Sequence, residues 1–343
     1  MIHIVGAGIG GLTLARCLQQ AGIAYQIYER RAALANIGAG LLMAPNAVSV
    51  LEAVGLGSGL RAHTRAFDGV RLTTPTRVLQ STTAPLLGID RGTLIELLAD
   101  GLDIQFGVDV DPAQLDGDWV VGADGIGSAV RGRIAPRIQR RYSGQTCWRF
   151  VSPLSLQNDL EERWGGARRV GIVPIPGGTY VFLVQSAPEG TPARPTDRAA
   201  LARDFGEIHP HVPELLGALG DRPLLHHDLD ELDALCFGEG RTLLLGDAAH
   251  ALTPNMGQGA GMAIEDAWVL ARALADGTDV LARYRAARTA RVTRVWRTSA
   301  QIGRVAHLES SVLRWFRDLA MQWTPSSVVH QQTAWLNDWR AAA

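Results

Sequence analysis

Three groups of residues have types and spacings that could do chemistry. The first is Gly6-Ala7-Gly8-Ile9-Gly10-Gly11, in which Gly6, Gly8 and Gly11 supply a GxGxxG pattern. The first glycine of such a run permits a tight turn from strand to helix, the second lets backbone approach a pyrophosphate, and the third lets helix and strand pack closely. The helix that follows offers free N–H groups and the positive end of its dipole to phosphate. Glu29 lies about 20 residues on, where a carboxylate can hold ribose hydroxyls. It suits an unphosphorylated adenosine ribose and opposes a 2′-phosphate. Arg30 and Arg31 either contact adenosine or form a solvated pair.

The second group is residues 122–131, Gly-Ala-Asp-Gly-Ile-Gly-Ser-Ala-Val-Arg, with Asp124 either near a ligand or in a turn. The third is Gly246-Asp247-Ala248-Ala249-His250, continuing through Pro254 to Gly257-Gln258-Gly259-Ala260-Gly261. Asp247 follows a short apolar run, at the carboxyl edge where open α/β sheets bind ligands. A carboxylate there can hold the hydroxyls of a ribityl chain, or cap a helix. The glycines let backbone amides approach a flat ring and stabilise negative charge on it. Arg149 could bind an anionic substrate or stabilise a phenolate, or could lie on a solvated sheet face. His250 is read as a capping or core histidine rather than a base. His209, His211, His226 and His227 are read as loop residues, because no ligand set at helical spacing accompanies them; no metal is expected.

Several elements must position these residues. Residues 2–5 read as a buried parallel strand, a helix runs to about Gln20, and Tyr25 to Tyr28 form a second strand, which completes a βαβ unit. Residues 38–56 begin as a glycine-rich loop and become a helix with Val48, Leu51 and Val54 on one face. Residues 67–82 read as a hairpin, 91–100 as a helix, and 104–106, 119–121 and 243–245 as further strands. From about residue 137 the texture changes to alternating segments, such as 169–174 and 179–185, typical of an antiparallel sheet. Alternation places Cys147 and Arg149 on one face and Trp148 on the other. Residues 186–197 read as an exposed loop, and a long helix starts near Gly261. Residues 280–343 read as helical, with Arg285, Arg288, Arg291, Arg294 and Arg297 on a solvated face and five tryptophans packing.

The expected fold class is α/β: a Rossmann-like dinucleotide-binding domain with an inserted, mostly antiparallel sheet domain and C-terminal helices. The expected boundaries are 1–66, 86–136 and 236–279 for the first, 67–85 and 137–235 for the second, and 280–343 for the helices.

Composition narrows the chemistry further. All 33 basic side chains are arginine, so P-loop lysine, Schiff-base and lysine-base chemistry are excluded. A formal net charge of −1 argues against nucleic acid or an anionic membrane as the main partner. Cys17, Cys147 and Cys236 are an odd number without a CxxC, which fits a reducing compartment. No secretory signal precedes the first strand and no apolar run reaches spanning length, so a cytoplasmic location without an integral membrane segment is expected.

In this order and at these separations, the motifs resemble those of the single-component FAD-dependent aromatic hydroxylases, the group A flavoprotein monooxygenases. Residues 122–131 resemble that family's "DG" motif and 246–261 its "GD" motif. The resemblance implies bound FAD, transient NAD(P)H, O2 and a small-molecule substrate, in a monomer or homodimer. It places Asp124 near the FAD pyrophosphate, Arg91 near the phosphate and ribityl region, and the loop of residues 38–47, with Met43, beside the isoalloxazine ring. It sets Pro254 beside the ring. Pro254 and, from its residue type, Arg149 are the catalytic candidates, and Met43, Cys147 and Arg149 the candidate substrate contacts. Residues 142–149 resemble a segment of the urate hydroxylase and zeaxanthin epoxidase branches, although Phe150 stands where those often carry glycine. The implied reaction is hydroxylation of an aromatic or conjugated molecule through a C4a-hydroperoxyflavin. An FAD-dependent epoxidase or reductase acting on a lipid-like substrate, and a flavin-binding protein without turnover, are the alternatives. A flavin-dependent halogenase would need the lysine that is missing.

Overall fold

The computed structural model describes residues 1–34, 39–115, 119–156, 160–190 and 197–341, apart from a few side chains in 68, 84, 326 and 330–333. Gly38 of the expected ring-side loop and residues 191–196 of the expected loop at 186–197 lie outside the described residues.

Two sheets organise the chain. The first has six strands in the order Gly238–Glu239, Thr242–Leu244, Trp119–Gly122, Ile2–Val5, Tyr25–Glu29, Ile104–Phe106. All its pairs are parallel except the first. Ile4, Ile27, Val121 and Leu243 are fully buried at its centre, as expected of parallel strands covered on both faces. The helix Ile9–Gln20 packs against Gly259–Asp276, which packs in turn against Val280–Ala306.

The second sheet has eight strands in the order Leu225–Leu232, Arg140–Ser152, Gly178–Ser186, Arg168–Ile175, Leu160–Trp164, Arg65–Thr73, Val78–Asp90, Gly40–Met43. Its pairs are antiparallel except for Arg65–Thr73 with Leu160–Trp164. Gly40–Met43 joins this sheet as an edge strand, where the glycines suggested only a loop. Gly40 is needed there because a Cβ would meet the Tyr180 side chain at 2.5 Å.

The back of this sheet is covered by two helices, Arg198–Gly206 and Val212–Gly217, which were not foreseen. Each is so short that its apolar repeat spans barely one or two turns. Leu201, Phe205, Val212 and Leu215 nevertheless form a core with Trp148, Phe150 and Leu183. The C-terminal region is three helices, Val280–Ala306, Ser311–Trp323 and Ser326–Asn337. Trp296, Trp335 and Trp339 pack against the core of the first sheet, whereas Trp315 and Trp323 are 53% and 79% exposed. Among the described residues no helix is long and apolar enough to cross a membrane.

Candidate functional site

The glycine turn is built by close backbone packing. Gly6 has φ +107°, and a Cβ there would meet the Ala123 carbonyl oxygen at 2.6 Å. A Cβ on Gly11 would lie 2.1 Å from the Gly6 carbonyl oxygen, and one on Gly10 2.5 Å from Leu245. Gly8 differs, because nothing lies nearer than 4.0 Å. The space in front of it is open, as a cradle for a ligand requires. The first bond of the helix is Leu12 N–H to the Gly8 carbonyl, so the N–H groups of Ile9, Gly10 and Gly11 have no partner within the helix. The Glu29 carboxylate accepts from the N–H of Ala7 and of Arg31, each at 3.0 Å, and keeps lone pairs to spare. Arg30 is exposed beside it.

Asp124 caps the helix Ala129–Ile134: its Oδ2 accepts from Ala129 and Val130 N–H, while its buried Oδ1 has no hydrogen-bond partner among the described residues. Gly246 has φ +57° and leads into the turn Asp247–His250. The Asp247 carboxylate is exposed and takes no hydrogen bond from any described residue. It is the main charge supporting the Arg91 guanidinium, whose pKa burial lowers and Asp247 raises, with Arg149 and Arg31 repelling it. Pro254 is exposed at the start of the turn Pro254–Met256. Gly257 has φ +62°, and a Cβ on Gly259 would meet nothing within 4 Å. The first bond of the next helix is Met262 N–H to Gln258, leaving the N–H groups of Gly259, Ala260 and Gly261 without a partner in the helix. Open glycine cradles, an unpartnered carboxylate and two unpaired helix starts fit a long, flat, phosphorylated cofactor.

A buried ion cluster behind these turns was not foreseen. Asp266 accepts from Gly246 N–H at 2.9 Å and from His250 Nε2 at 2.5 Å through one oxygen, and from Arg288 Nε at 2.6 Å through the other. Glu265 pairs with Arg288 and Arg291 and accepts from Asn46 Nδ2 at 2.6 Å. The Gln258 side chain also bonds Asn46, at 3.1 Å. Arg288, Glu265 and Asp266 have no exposed surface. Burial pushes the Asp266 pKa up, but His250, Arg288 and the Gly246 N–H hold it down at about 2. Arg288 is therefore not on a solvated face: carboxylates on the neighbouring helix neutralise it. Adjacent acids flanked by apolar residues, Glu265-Asp266 between Met262-Ala263-Ile264 and Ala267-Trp268-Val269, are the signal that a buried cation must exist.

The face of the second sheet turned toward these groups carries Arg149, Tyr180, Cys147 and His227. Cys147 is paired with Val184 and His227, and Arg149 with Phe182 and Leu225, in the strand register. Arg149 lies close to Tyr180 and, through NH2, 3.2 Å from His227 Nδ1; its Nε is buried with no hydrogen-bond partner among the described residues. Burial holds the Tyr180 phenol well above its usual range, against the pull of Arg149 and Arg91. Burial, then Arg149, lowers the pKa of His227. Arg169, 2% exposed, ties this face to the Pro254 turn through Asn255 Oδ1.

Two expected substrate contacts need correction. Met43 is fully buried in the core of the first sheet and presents no surface. Cys147 is 2% exposed among Val184 and Leu229, and burial raises its thiol pKa, so it is packing. His250 is 1% exposed and bound to Asp266, a structural placement. Among the described residues no group of three or more His, Cys, Asp or Glu is arranged to hold a metal.

Asp247→Ala is expected to weaken FAD binding by about 10–100-fold while leaving the fold intact, because the carboxylate contacts nothing that holds the turn. Titration of the deflavinated variant with FAD, followed by flavin fluorescence, measures this; unchanged affinity would remove Asp247 from the cofactor site.

Comparison with known proteins now bears on the site. Residues 1–98 and 103–299 match the family described as FAD binding domain. The chain is 36% identical to aurachin C monooxygenase/isomerase of Stigmatella aurantiaca, over 97% of this chain and 96% of that protein. It is 34% identical to 2-heptyl-3-hydroxy-4(1H)-quinolone synthase of Pseudomonas aeruginosa, over 95% and 94%, and 30% identical to FAD-dependent urate hydroxylase of Klebsiella pneumoniae, over 85% and 86%. Its fold is similar to that of Klebsiella pneumoniae HpxO complexed with FAD and uric acid, with TM-score 0.86 and 25% identity over 99% and 96% of the two chains.

Proposed function

We propose, from the premise that this chain belongs to the FAD-binding-domain family of FAD-dependent monooxygenases, that it hydroxylates an electron-rich, acidic aromatic or heteroaromatic ring at the expense of NAD(P)H and O2. The overall balance is one O2, one NAD(P)H and one proton consumed, with one oxygen atom entering the substrate and the other leaving as water. Bound FAD supplies the redox chemistry. The chain's own residues would bind it as follows. The amides of Ile9, Gly10 and Gly11 take the pyrophosphate, Glu29 the adenosine ribose, Asp247 the ribityl hydroxyls and Arg91 a phosphate oxygen. The amides of Gly259, Ala260 and Gly261 meet the ring, with Pro254 at its edge.

The substrate would lie between this cofactor region and the Arg149 face of the eight-stranded sheet. The observation that carries this reading is the buried, unpartnered Arg149 Nε beside Tyr180, on the face whose charges act on Arg91. A cation there favours the deprotonated form of a ring hydroxyl or N–H, which enriches the ring in electrons and makes it a better nucleophile. The relatives' names carry such rings: a quinolone, urate and an aminohydroxybenzoate. The enclosing sheet also excludes water, which would otherwise favour release of peroxide.

The test uses whichever of uric acid, a 2-alkyl-4-quinolone or an aminohydroxybenzoate accelerates NAD(P)H oxidation. Arg149→Leu is expected to lower kcat/KM about 100-fold at neutral pH and to move the pH profile to higher pH, since the substrate must then ionise unaided. Substrate-free NAD(P)H oxidation should stay the same. An unchanged pH profile with unchanged kcat/KM would refute the role of Arg149.

A further inference from the structure

A cavity of about 180 Å³ lies on the same face of the eight-stranded sheet as Arg149, nearer the start of the strand Arg140–Ser152. Arg141, Ser143, Gln145 and Glu231 line it from the sheet, and Gly303 and Arg304 from the helix Val280–Ala306. Gln145 and Arg149 lie on one face of their strand, about 13 Å apart. Cys147, 2% exposed, fills that face between them, so the cavity is separate from the space assigned to the ring substrate. The strand is irregular beside the cavity: Ser143, Gly144 and Gln145 together face Leu229 alone on the strand Leu225–Leu232. Gly144, with φ +82°, permits this bulge, and bulges re-aim side chains.

Polar groups around the cavity are left over once the bonds within the chain are made. Gln145 is 6% exposed, and its Nε2 donates to the Gly303 carbonyl at 2.9 Å. That bond fixes the amide, because turning it over would set its oxygen against the carbonyl. Its buried Oε1 has no hydrogen-bond partner among the described residues. Glu231, 4% exposed, uses Oε1 for both Nε and Nη2 of Arg141, and its buried Oε2 has no partner either. Nor has the buried Ser143 hydroxyl. Buried acceptors without donors are unfavourable, and folded proteins keep few of them. Asn255, which also borders the cavity, is by contrast engaged by Arg169, Thr253 and the Ser299 carbonyl. Arg304 is exposed and has no ion pair among the described residues, and Arg141 uses Nε and Nη2 on Glu231, leaving Nη1. Asp230 is paired with Arg140, while Asp228 and Glu189 act on the Tyr142 hydroxyl, which bonds the Ala187 carbonyl; none of these acids lines the cavity. Two guanidinium groups and one carboxylate give the lining an excess of one positive charge.

We propose that this cavity binds a small acidic amino acid, its ammonium against Glu231 Oε2 and Gln145 Oε1 and its carboxylates against Arg304 and Arg141 Nη1. An ammonium only donates, as two orphaned acceptors require, and a carboxylate only accepts, as guanidinium groups require. The net negative charge of the ligand matches the excess positive charge of the lining. The two guanidinium groups also oppose a metal cation at the same acceptors. Size agrees: an apolar cavity of about 150 Å³ takes up benzene, so this one suits a molecule of four or so carbons and is too small for a dinucleotide. The inference stands apart from the chemistry proposed for the flavin site.

The experiment is calorimetric titration of the FAD-loaded protein with L-aspartate, and with succinate, which keeps both carboxylates but lacks the ammonium. The expected result is saturable binding of one aspartate per chain, with succinate bound about tenfold more weakly or less. Arg304→Ala, which removes an exposed side chain without an ion pair, should weaken aspartate binding about tenfold. Glu231→Gln should narrow the preference for aspartate over succinate, since the ammonium then meets a neutral group. Both variants should keep the flavin spectrum, which shows that they fold. Absence of aspartate binding by the parent protein, equal binding of succinate, or unchanged affinity in Arg304→Ala would overturn the proposal. So would a crystal grown with aspartate in which the cavity holds ordered water only. The titration needs no turnover, so its outcome is independent of the reaction proposed for Arg149.

Discussion

Arg288→Met is expected to destabilise the protein by about 3–5 kcal/mol and to loosen FAD, although position 288 touches none of the residues assigned to the cofactor. The guanidinium is fully buried and neutralises Glu265 and Asp266 together. Methionine fills much of the volume but leaves His250 as the remaining ion-pair partner of Asp266 and Arg291 as that of Glu265 among the described residues. Arg288 holds one Asp266 oxygen while the other holds Gly246 N–H and His250, so a carboxylate freed on its Arg288 side positions the turn that presents Asp247 less firmly. Denaturant unfolding and FAD titration should both report the change. Arg291→Met, on a side chain 12% exposed, should cost less, because water partly replaces the lost charge. Acid tests the same cluster. The Asp266 pKa is depressed to about 2, so the stability it contributes is present above its unfolded value near 4 and is lost as pH falls through about 2. The stability gap between the parent and Asp266→Asn should narrow over that window. A constant gap would mean that the carboxylate is not paired as described.

Gly11→Ala should damage both fold and cofactor binding, and Gly8→Ala cofactor binding alone. At Gly11 the new methyl would lie 2.1 Å from a backbone oxygen that cannot rotate away, so the turn must open, at a cost of about 3 kcal/mol or more. At Gly8 the methyl meets no protein atom nearer than 4.0 Å, and the apoprotein should unfold as the parent does. If the open space belongs to a pyrophosphate, the same methyl weakens FAD binding by about 100-fold. Thermal unfolding of both apo variants, followed by FAD titration, separates the two roles. Normal FAD affinity in Gly8→Ala would show that the space is not used by the cofactor.

The parts of the site that could be read from sequence are those that depend on a few residues with special backbone properties. Gly6, Gly246 and Gly257 take positive φ, and glycine spacing reveals such turns without any knowledge of what packs on them. Alternation along residues 140–152 was likewise local, and Trp148 does face the opposite core from Arg149. What could not be read depends on partners distant in sequence. Arg288 looks like its neighbours Arg285 and Arg294 until the helix Gly259–Asp276 brings two carboxylates against it. Met43 looked like a ring-side residue until the strand Gly40–Met43 paired with Val78–Asp90 and turned its side chain inward. Tyr180 and His227 lie on separate strands that meet beside Arg149 only through sheet register. Trp315 and Trp323 follow the same rule: helical periodicity identifies an apolar side of Ser311–Trp323, and the bonds of the buried Arg317 guanidinium to the Val305 and Ala306 carbonyls set it outward.

The most direct test of the central claim is the visible absorption spectrum of the purified protein, followed by addition of NADH or NADPH in air. The account predicts flavin bands, release of FAD on denaturation, and slow oxidation of a reduced nicotinamide with formation of peroxide when no substrate is present. A colourless protein that takes up no added FAD would contradict it.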